Sequence, residues 1–193
     1  MLSNSSLQNA DRVLKKGGIL IFPTDTVYGI GCLMFDESIK RLYQIKNRPL
    51  SQPTTILVTK NLYHKIRSSE KSGIDIPSNM RKNFRDGKIT IVFSGALFKI
   101  KFPRIITKDN KIGIRLPQSE WLEKLIDTVG PMVASSANKK GKIPPAKFEE
   151  VDKDIIEKSD LTIKTDLPAG KASKKLSGKP SRVYDLELKK YLR

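Results

Sequence analysis

The sequence contains a single cysteine, Cys32, and a single histidine, His64. One thiol cannot form a disulfide within the chain, which fits a reducing compartment. One imidazole excludes a histidine-rich metal site, and the two residues lie 32 positions apart and suggest no nucleophile–base pair. No unbroken apolar run approaches the roughly 18–20 residues of a membrane helix. The opening stretch, MLSNSSLQNADRVLKK, lacks the basic-then-apolar order of a secretory signal. These absences lead us to expect a cytoplasmic protein without membrane contact. The glycine signatures of nucleotide binding are missing as well. GGILIF and GIGCL lack the Gly-Lys-Ser/Thr ending of a P-loop, and no GxGxxG occurs. A nucleotide, if bound, needs a different cradle.

Acidic residues are scarce: 20 Asp and Glu stand against 37 Lys and Arg, a net charge of +17. This excess suits a polyanionic partner such as RNA or the phosphates of ATP. It suits a solvated, lysine-rich surface equally well, since 27 of the 37 are lysines spread along the chain. Charge alone therefore selects no function. With 38% hydrophobic and 30% charged residues the chain reads as globular, and 193 residues suit one core better than two. A single domain over 1–193 is expected.

Strand and helix signals alternate. Leu7, Ala10, Val13 and Leu14 recur at helical spacing from Leu7 to Lys16, and Gly17-Gly18 ends that run. Ile19 to Phe22 is a short apolar, β-branched strand broken by Pro23. Asp36 to Lys46 reads as helix. Thr54–Val58, Ile89–Phe93, Lys111–Leu116 and Pro131–Ala134 read as strands. Ser119 is placed to cap a helix running to about Val129. Phe148–Glu157 reads as helix, and Leu161–Lys164 and Arg182–Leu186 as the last strands. The pattern is α/β around one core. Lys99–Lys111 reads as loop. The Gly-, Pro-, Ser- and Lys-rich stretch from Asp166 to Lys179 is either a surface loop or a flap over a site.

Three segments carry polar residues at the ends of these elements, where ligand sites of α/β proteins gather. PTDTVYGIG (Pro23 to Gly31) sets two threonines, an aspartate and a tyrosine between a strand and two glycines. It is either part of a site or an ordinary turn in which Asp25 bonds its own backbone. Lys46-Asn47-Arg48-Pro49 ends a helix; a compact ammonium and a planar guanidinium suit phosphate oxygens, but cations also sit well at any helix C-terminus. Ala134-Ser135-Ser136-Ala137-Asn138 follows a strand with small hydroxyls and an amide, which serve a nucleotide or a helix cap alike.

In this order and spacing, GGILIFPTDTVYGIG, IKNRP, GIRLP (Gly113 to Pro117), GPMVASSANKKG (Gly130 to Gly141) and the terminal PSRVYDLELKKYLR resemble the YrdC/TsaC family of threonylcarbamoyl-AMP synthases in its short bacterial form. The resemblance spans nearly the whole chain. It implies a twisted mixed β-sheet with surrounding helices and a basic concave groove. It implies condensation of L-threonine, bicarbonate and ATP to threonylcarbamoyl-AMP and pyrophosphate, for modification of tRNA next to the anticodon. Mg2+ is expected to arrive with ATP, without a protein-held metal site. The tRNA itself or the threonylcarbamoyl-transferase complex is the implied downstream partner.

Carried over by position, Lys46 and Arg48 hold phosphates during the transfer. Thr26, Tyr28, Ala134 and Ser181 shape the threonine site, and Arg115 clamps the carboxylate. Lys111, Ser136, Asn138, Pro144 and Arg193 contact the nucleotide. The sequence departs from the family pattern in four places. Arg85-Asp86-Gly87-Lys88 stands where Trp-Pro-Gly-Pro is usual, Pro53-Thr54 where Pro-Leu is usual, Lys111 where threonine is common, and Lys139-Lys140 where a small pair follows the asparagine. Two alternatives use the same features. One is a non-catalytic RNA-binding module. The other is the carbamoyl-transfer domain of hydrogenase-maturation proteins, which travels with zinc-finger cysteine pairs that this chain lacks.

Overall fold

The structure is a computed structural model that describes residues 4–67, 76–164 and 178–192. These form one nine-stranded mixed sheet with six α-helices around it. The strands are β1 (Leu20–Pro23), β2 (Tyr28–Cys32), β3 (Thr55–Leu57), β4 (Ile89–Ser94), β5 (Lys111–Arg115), β6 (Met132–Ser136), β7 (Leu161–Thr162), β8 (Arg182–Asp185) and β9 (Lys190–Tyr191). They lie in the order β7-β1-β2-β6-β3-β5-β4-β8-β9. The pairs β1–β7, β3–β5 and β4–β8 are parallel and the other five antiparallel. The helices are α1 (Asn4–Lys15), α2 (Asp36–Ile45), α3 (Lys60–Ile66), α4 (Ser78–Arg85), α5 (Glu120–Val129) and α6 (Lys153–Lys158). None is long and apolar enough to cross a membrane.

Side chains alternate across a strand, and here the two faces have different fates. On one face Ile19, Ile21, Tyr28, Ile30, Ile56, Ile91, Ile112, Ile114 and Tyr184 form a core. It is sealed by α2 through Ile39, Leu42 and Tyr43, by α3 through Tyr63 and Ile66, by α4 through Phe84 and by α6 through Ile155. On the other face Leu20, Phe22, Leu57 and Met132 pack under α1 (Ala10, Leu14) and α5 (Trp121, Leu122, Leu125, Ile126). Two helices do not cover nine strands, and the remainder of this second face lies open toward β3, β5, β4 and β8.

Strand β2 is an element that apolar patterning did not mark, because in Tyr-Gly-Ile-Gly-Cys only every second residue has a side chain to pattern. Its glycines face Phe22, in the register Phe22↔Gly29 and Leu20↔Gly31. A Cβ on Gly31 would stand 2.5 Å from the Val133 carbonyl oxygen and 3.2 Å from the Phe22 ring. The second glycine is thus required by close approach of β6, not by a positive φ. The expected helix from Phe148 to Glu157 is interrupted. A single 3-10 turn (Phe148–Glu150) is followed by α6, which starts where the Asp152 carboxylate accepts from the Asp154 amide at 3.0 Å. Ser119 occupies the position before α5, but its side chain makes no capping bond. Helices α3 and α4 span only seven and eight residues and had no pattern long enough to mark them.

Candidate active site

The open part of the second face is a cavity of about 590 Å3, within the roughly 300–1,000 Å3 of small-molecule sites. Its floor is made by alternate strand residues: Thr55 and Leu57 of β3, Thr90 and Val92 of β4, Lys111, Gly113 and Arg115 of β5, and Val183 and Asp185 of β8. The sheet that buries isoleucines on one side therefore presents hydroxyls and charges on the other. Arg48, Lys108, Lys111 and Arg115 contribute cationic side chains to the lining, Asp109 and Asp185 carboxylates.

The β1–β2 turn forms one wall. Thr24 organises it: its hydroxyl donates to the Val27 carbonyl at 2.8 Å and accepts from the amides of Thr26 (3.0 Å) and Val27 (3.3 Å). Arg115, only 6% exposed at the end of β5, reaches this turn. Its Nη2 donates to Asp25 Oδ2 at 2.8 Å and Thr26 Oγ1 at 3.1 Å, and its Nε to the Gly87 carbonyl at 3.1 Å. Burial lowers the Arg115 pKa and the Asp25 carboxylate opposes that shift, so the guanidinium stays charged.

The Lys46–Arg48 turn forms the opposite wall. Helix α2 ends because Asn47 adopts a left-handed φ of 50°, a conformation asparagine tolerates. The two cations, both expected on phosphates, then take separate directions. Arg48 lies over the Tyr43 ring at 5.4 Å, donates to the Pro53 carbonyl and lines the cavity. Lys46 is 4% exposed and turns inward, its ammonium donating to the backbone carbonyls of Ser136 and Asn138, the latter at 2.6 Å. Burial, with repulsion from Arg48, pulls its pKa down to about 7. The Lys140 amide returns a bond to the Lys46 carbonyl at 3.1 Å, so the turn and the Ser136–Lys140 loop are interlocked. Asn138 Nδ2 donates to the carbonyls of Lys139 and Lys142 at 2.9 and 2.7 Å, while its Oδ1 is buried without a partner.

With this geometry in view, comparison with known proteins gives a family. Residues 12–189 match the family model named for Sua5, YciO and YrdC and described as "Telomere recombination". The chain belongs to the Sua5/YciO/YrdC family. A putative threonylcarbamoyl-AMP synthase of Methanocaldococcus jannaschii is 31% identical over 183 residues, covering 94% of this chain and 80% of that protein. The crystal structure of Pyrococcus abyssi Sua5 complexed with L-threonine is similar at a TM-score of 0.78 and 27% identity, covering 97% of this chain and 52% of that one. The chain thus spans about half the length of the Pyrococcus protein. Escherichia coli YciO is similar at a TM-score of 0.75 and 23% identity, covering 96% and 86%, and bears on the fold alone.

Of the residues singled out from the Sua5/YciO/YrdC motifs, Thr26, Arg48, Lys111, Arg115, Ala134, Ser136 and Ser181 line the cavity. Tyr28, Lys46, Asn138 and Pro144 do not, and Arg193 lies outside the described residues. Tyr28 is turned away by strand alternation. Its side chain, 3% exposed, stacks edge-on against Phe148 at 6.0 Å in the core, while Val27 and Gly29 face the cavity. The stretch from Asp166 to 177 also lies outside the described residues; at its end the Gly178 amide donates to the Thr26 carbonyl at 3.0 Å.

The family departures are accommodated locally. Lys111, in place of a threonine, sits between Asp185 (3.3 Å) and Glu187 (3.0 Å), and the Glu187 bond foremost raises its pKa. Thr54 donates to the Ala134 carbonyl at 3.1 Å. In the Arg85–Lys88 stretch the glycine is retained, and its carbonyl is the one that Arg115 binds. Motif matching missed Asp25 and Thr90 (the latter bonded to Ser181 at 2.9 Å) and the lining residues Lys108, Asp109 and Asp185. For Thr90 and Asp185 the alternation of β4 and β8 was the available signal. For Asp25 there was none beyond its place in the motif.

Proposed function

We propose that this protein condenses L-threonine, bicarbonate and ATP to L-threonylcarbamoyl-AMP, with release of pyrophosphate and water, as the activated donor for threonylcarbamoyladenosine next to the anticodon of tRNA. The observation that carries this reading is that one cavity gathers a buried guanidinium bonded to a hydroxyl, at Arg115 and Thr26, and further cations at Arg48 and Lys111. The first suits an amino acid, the second a polyphosphate. The threonylcarbamoyl-AMP synthase name borne by relatives supports it.

The amine of threonine joins bicarbonate-derived carbon to give a carbamate and water. A carbamate oxygen then attacks the α-phosphorus, and the bond to the β-phosphate oxygen breaks to expel pyrophosphate. Every partner is an anion, so rate comes from positioning and charge neutralisation, and no histidine or cysteine is needed. Arg115 holds the threonine carboxylate while Thr26 and Ser181 offer hydroxyl contacts. Arg48 and Lys111 face the phosphates. Lys46, held on the Ser136 and Asn138 carbonyls, keeps the nucleotide-side loop in shape, and an arriving phosphate favours its charged form. Mg2+ would enter as the companion of ATP, held mainly by the triphosphate oxygens. The product passes to the tRNA-modifying machinery.

The test is pyrophosphate release from the purified protein. It should require L-threonine and bicarbonate together. ATP turnover that is equal without threonine sinks the synthase reading, and salt-sensitive RNA association without turnover points to a binding module.

A further inference from the structure

The carboxylate of Asp25 has no task in its own turn, which Thr24 holds instead. Among the described residues it makes one hydrogen bond, from Arg115 Nη2 to Oδ2 at 2.8 Å. Its Oδ1 is buried and has no partner. The side chain is 10% exposed, and that of Arg115 is 7% exposed. With a single bond, this buried acid acts on its surroundings chiefly through the guanidinium it touches.

Its partner is Arg115. Strands β2 and β5 are separated in the sheet by β6 and β3, so the ion pair reaches across two strands to join the β1–β2 turn to the end of β5. A guanidinium is a rigid planar fork, and fixing two of its nitrogens fixes the direction of the third. Nε is held by the Gly87 carbonyl and Nη2 by Asp25 and Thr26. Nη1 makes no bond to the described residues, and Arg115 lines the cavity. Gly87 completes the arrangement. With φ +67°, a Cβ there would stand 3.0 Å from Asp25 Oδ2 and 2.7 Å from the Leu116 carbonyl oxygen. A side chain there would clash with the Leu116 carbonyl and crowd the acid.

We infer that Asp25 is a positioning residue that aims Arg115 Nη1 at the carboxylate of the amino-acid substrate. The inference rests on the reading of the cavity as a threonine site. Asp25 touches no substrate atom; its effect passes wholly through the guanidinium.

The experiment is titration calorimetry with L-threonine and with L-threoninol, which replaces the carboxylate by an alcohol. The wild-type protein should prefer L-threonine. Asp25→Ala, which removes the acceptor, should lose about 10- to 100-fold of that preference, the worth of one charge-assisted bond, with ATP binding nearly intact. Asp25→Asn removes the charge but keeps an acceptor oxygen in place, and should retain most of the preference. Equal loss in both variants overturns the positioning role in favour of simple charge compensation, and no loss in either overturns it outright. Arg115→Lys separates the two levels. If Arg115→Lys leaves threonine binding unchanged, the threonine clamp itself is wrong and the inference falls with it. If Arg115→Lys loses the preference while Asp25→Ala keeps it, only the role of Asp25 is overturned. Should Asp25→Ala fail to fold, a crystal structure of the wild type with L-threonine decides. Nη1 on the carboxylate with Nη2 still on Asp25 supports the role, and release of Asp25 overturns it.

Discussion

Lys46 makes the pH dependence of stability a direct probe of the site. In the folded protein its pKa falls from about 10.5 to about 7 because burial and Arg48 penalise the charge. The unfolded chain restores the ordinary value. Between these values the unfolded state binds more protons, so the stability of the ligand-free protein rises with pH. Each unit of pH in which the difference is a full proton is worth about 1.4 kcal/mol. Allowing for the half-protonated state near pH 7, the gain from pH 7 to pH 9 is about 2 kcal/mol. Cys32 acts in the opposite sense: burial pushes its thiol up to about 12. Its contribution is complete below about pH 9 and is lost above, so the window from 7 to 9 belongs mainly to Lys46. The assay is urea unfolding at pH 7, 8 and 9 for the wild type and for Lys46→Met. The wild-type curve should climb by about 2 kcal/mol and the variant curve should stay nearly flat. A variant that climbs as steeply as the wild type refutes the assignment. A second consequence has a definite sign. Phosphate near Lys46 raises its pKa, so ATP binding between pH 7 and 9 takes up protons and weakens as pH rises, readable by calorimetry in buffers of different ionisation enthalpy.

Arg48→Ala should lower nucleotide affinity about 10- to 100-fold, the worth of one charge-assisted bond. Arg67→Ala should change it little, because Arg67 packs on Tyr63 outside the cavity lining; equal losses would mean that net charge, not position, binds ATP. Asp160 accepts from the buried Ile19 amide at 2.6 Å and from Arg41 at 2.6 and 3.0 Å. Asp160→Ala should cost about 2 kcal/mol in urea unfolding, chiefly by orphaning that amide, since the Arg41 contact is largely exposed and contributes less. Asp160→Asn, which keeps an acceptor, should lose less than half as much, and equal losses would place the energy in the ion pair instead.

Periodicity and punctuation in the sequence determined the α/β alternation, most strand centres, and the ends of α1 and α2. Those signals act within a few residues, and side chains at i and i+2 or i+4 declare them without reference to the rest of the chain. The ordered motifs likewise placed the threonine, arginine and serine segments at element ends. What the sequence left open depends on contacts between distant residues. Tyr28 could belong to the site or the core until β2 paired with β1 and β6 and turned it inward. Asp25 could serve its own turn until Arg115 arrived from 90 positions away. Lys46 and Arg48 look equivalent in IKNRP, yet one is drawn to the Ser136 and Asn138 carbonyls and the other faces the cavity, because the Ser136–Lys140 loop stands beneath only the first. The break at Asp152 and the idle Ser119 hydroxyl are of the same kind, since several local solutions were permitted and packing chose among them. Element identity here is short-range information. Which face of an element becomes a site depends on what the other elements leave uncovered, and only the tertiary structure decides that.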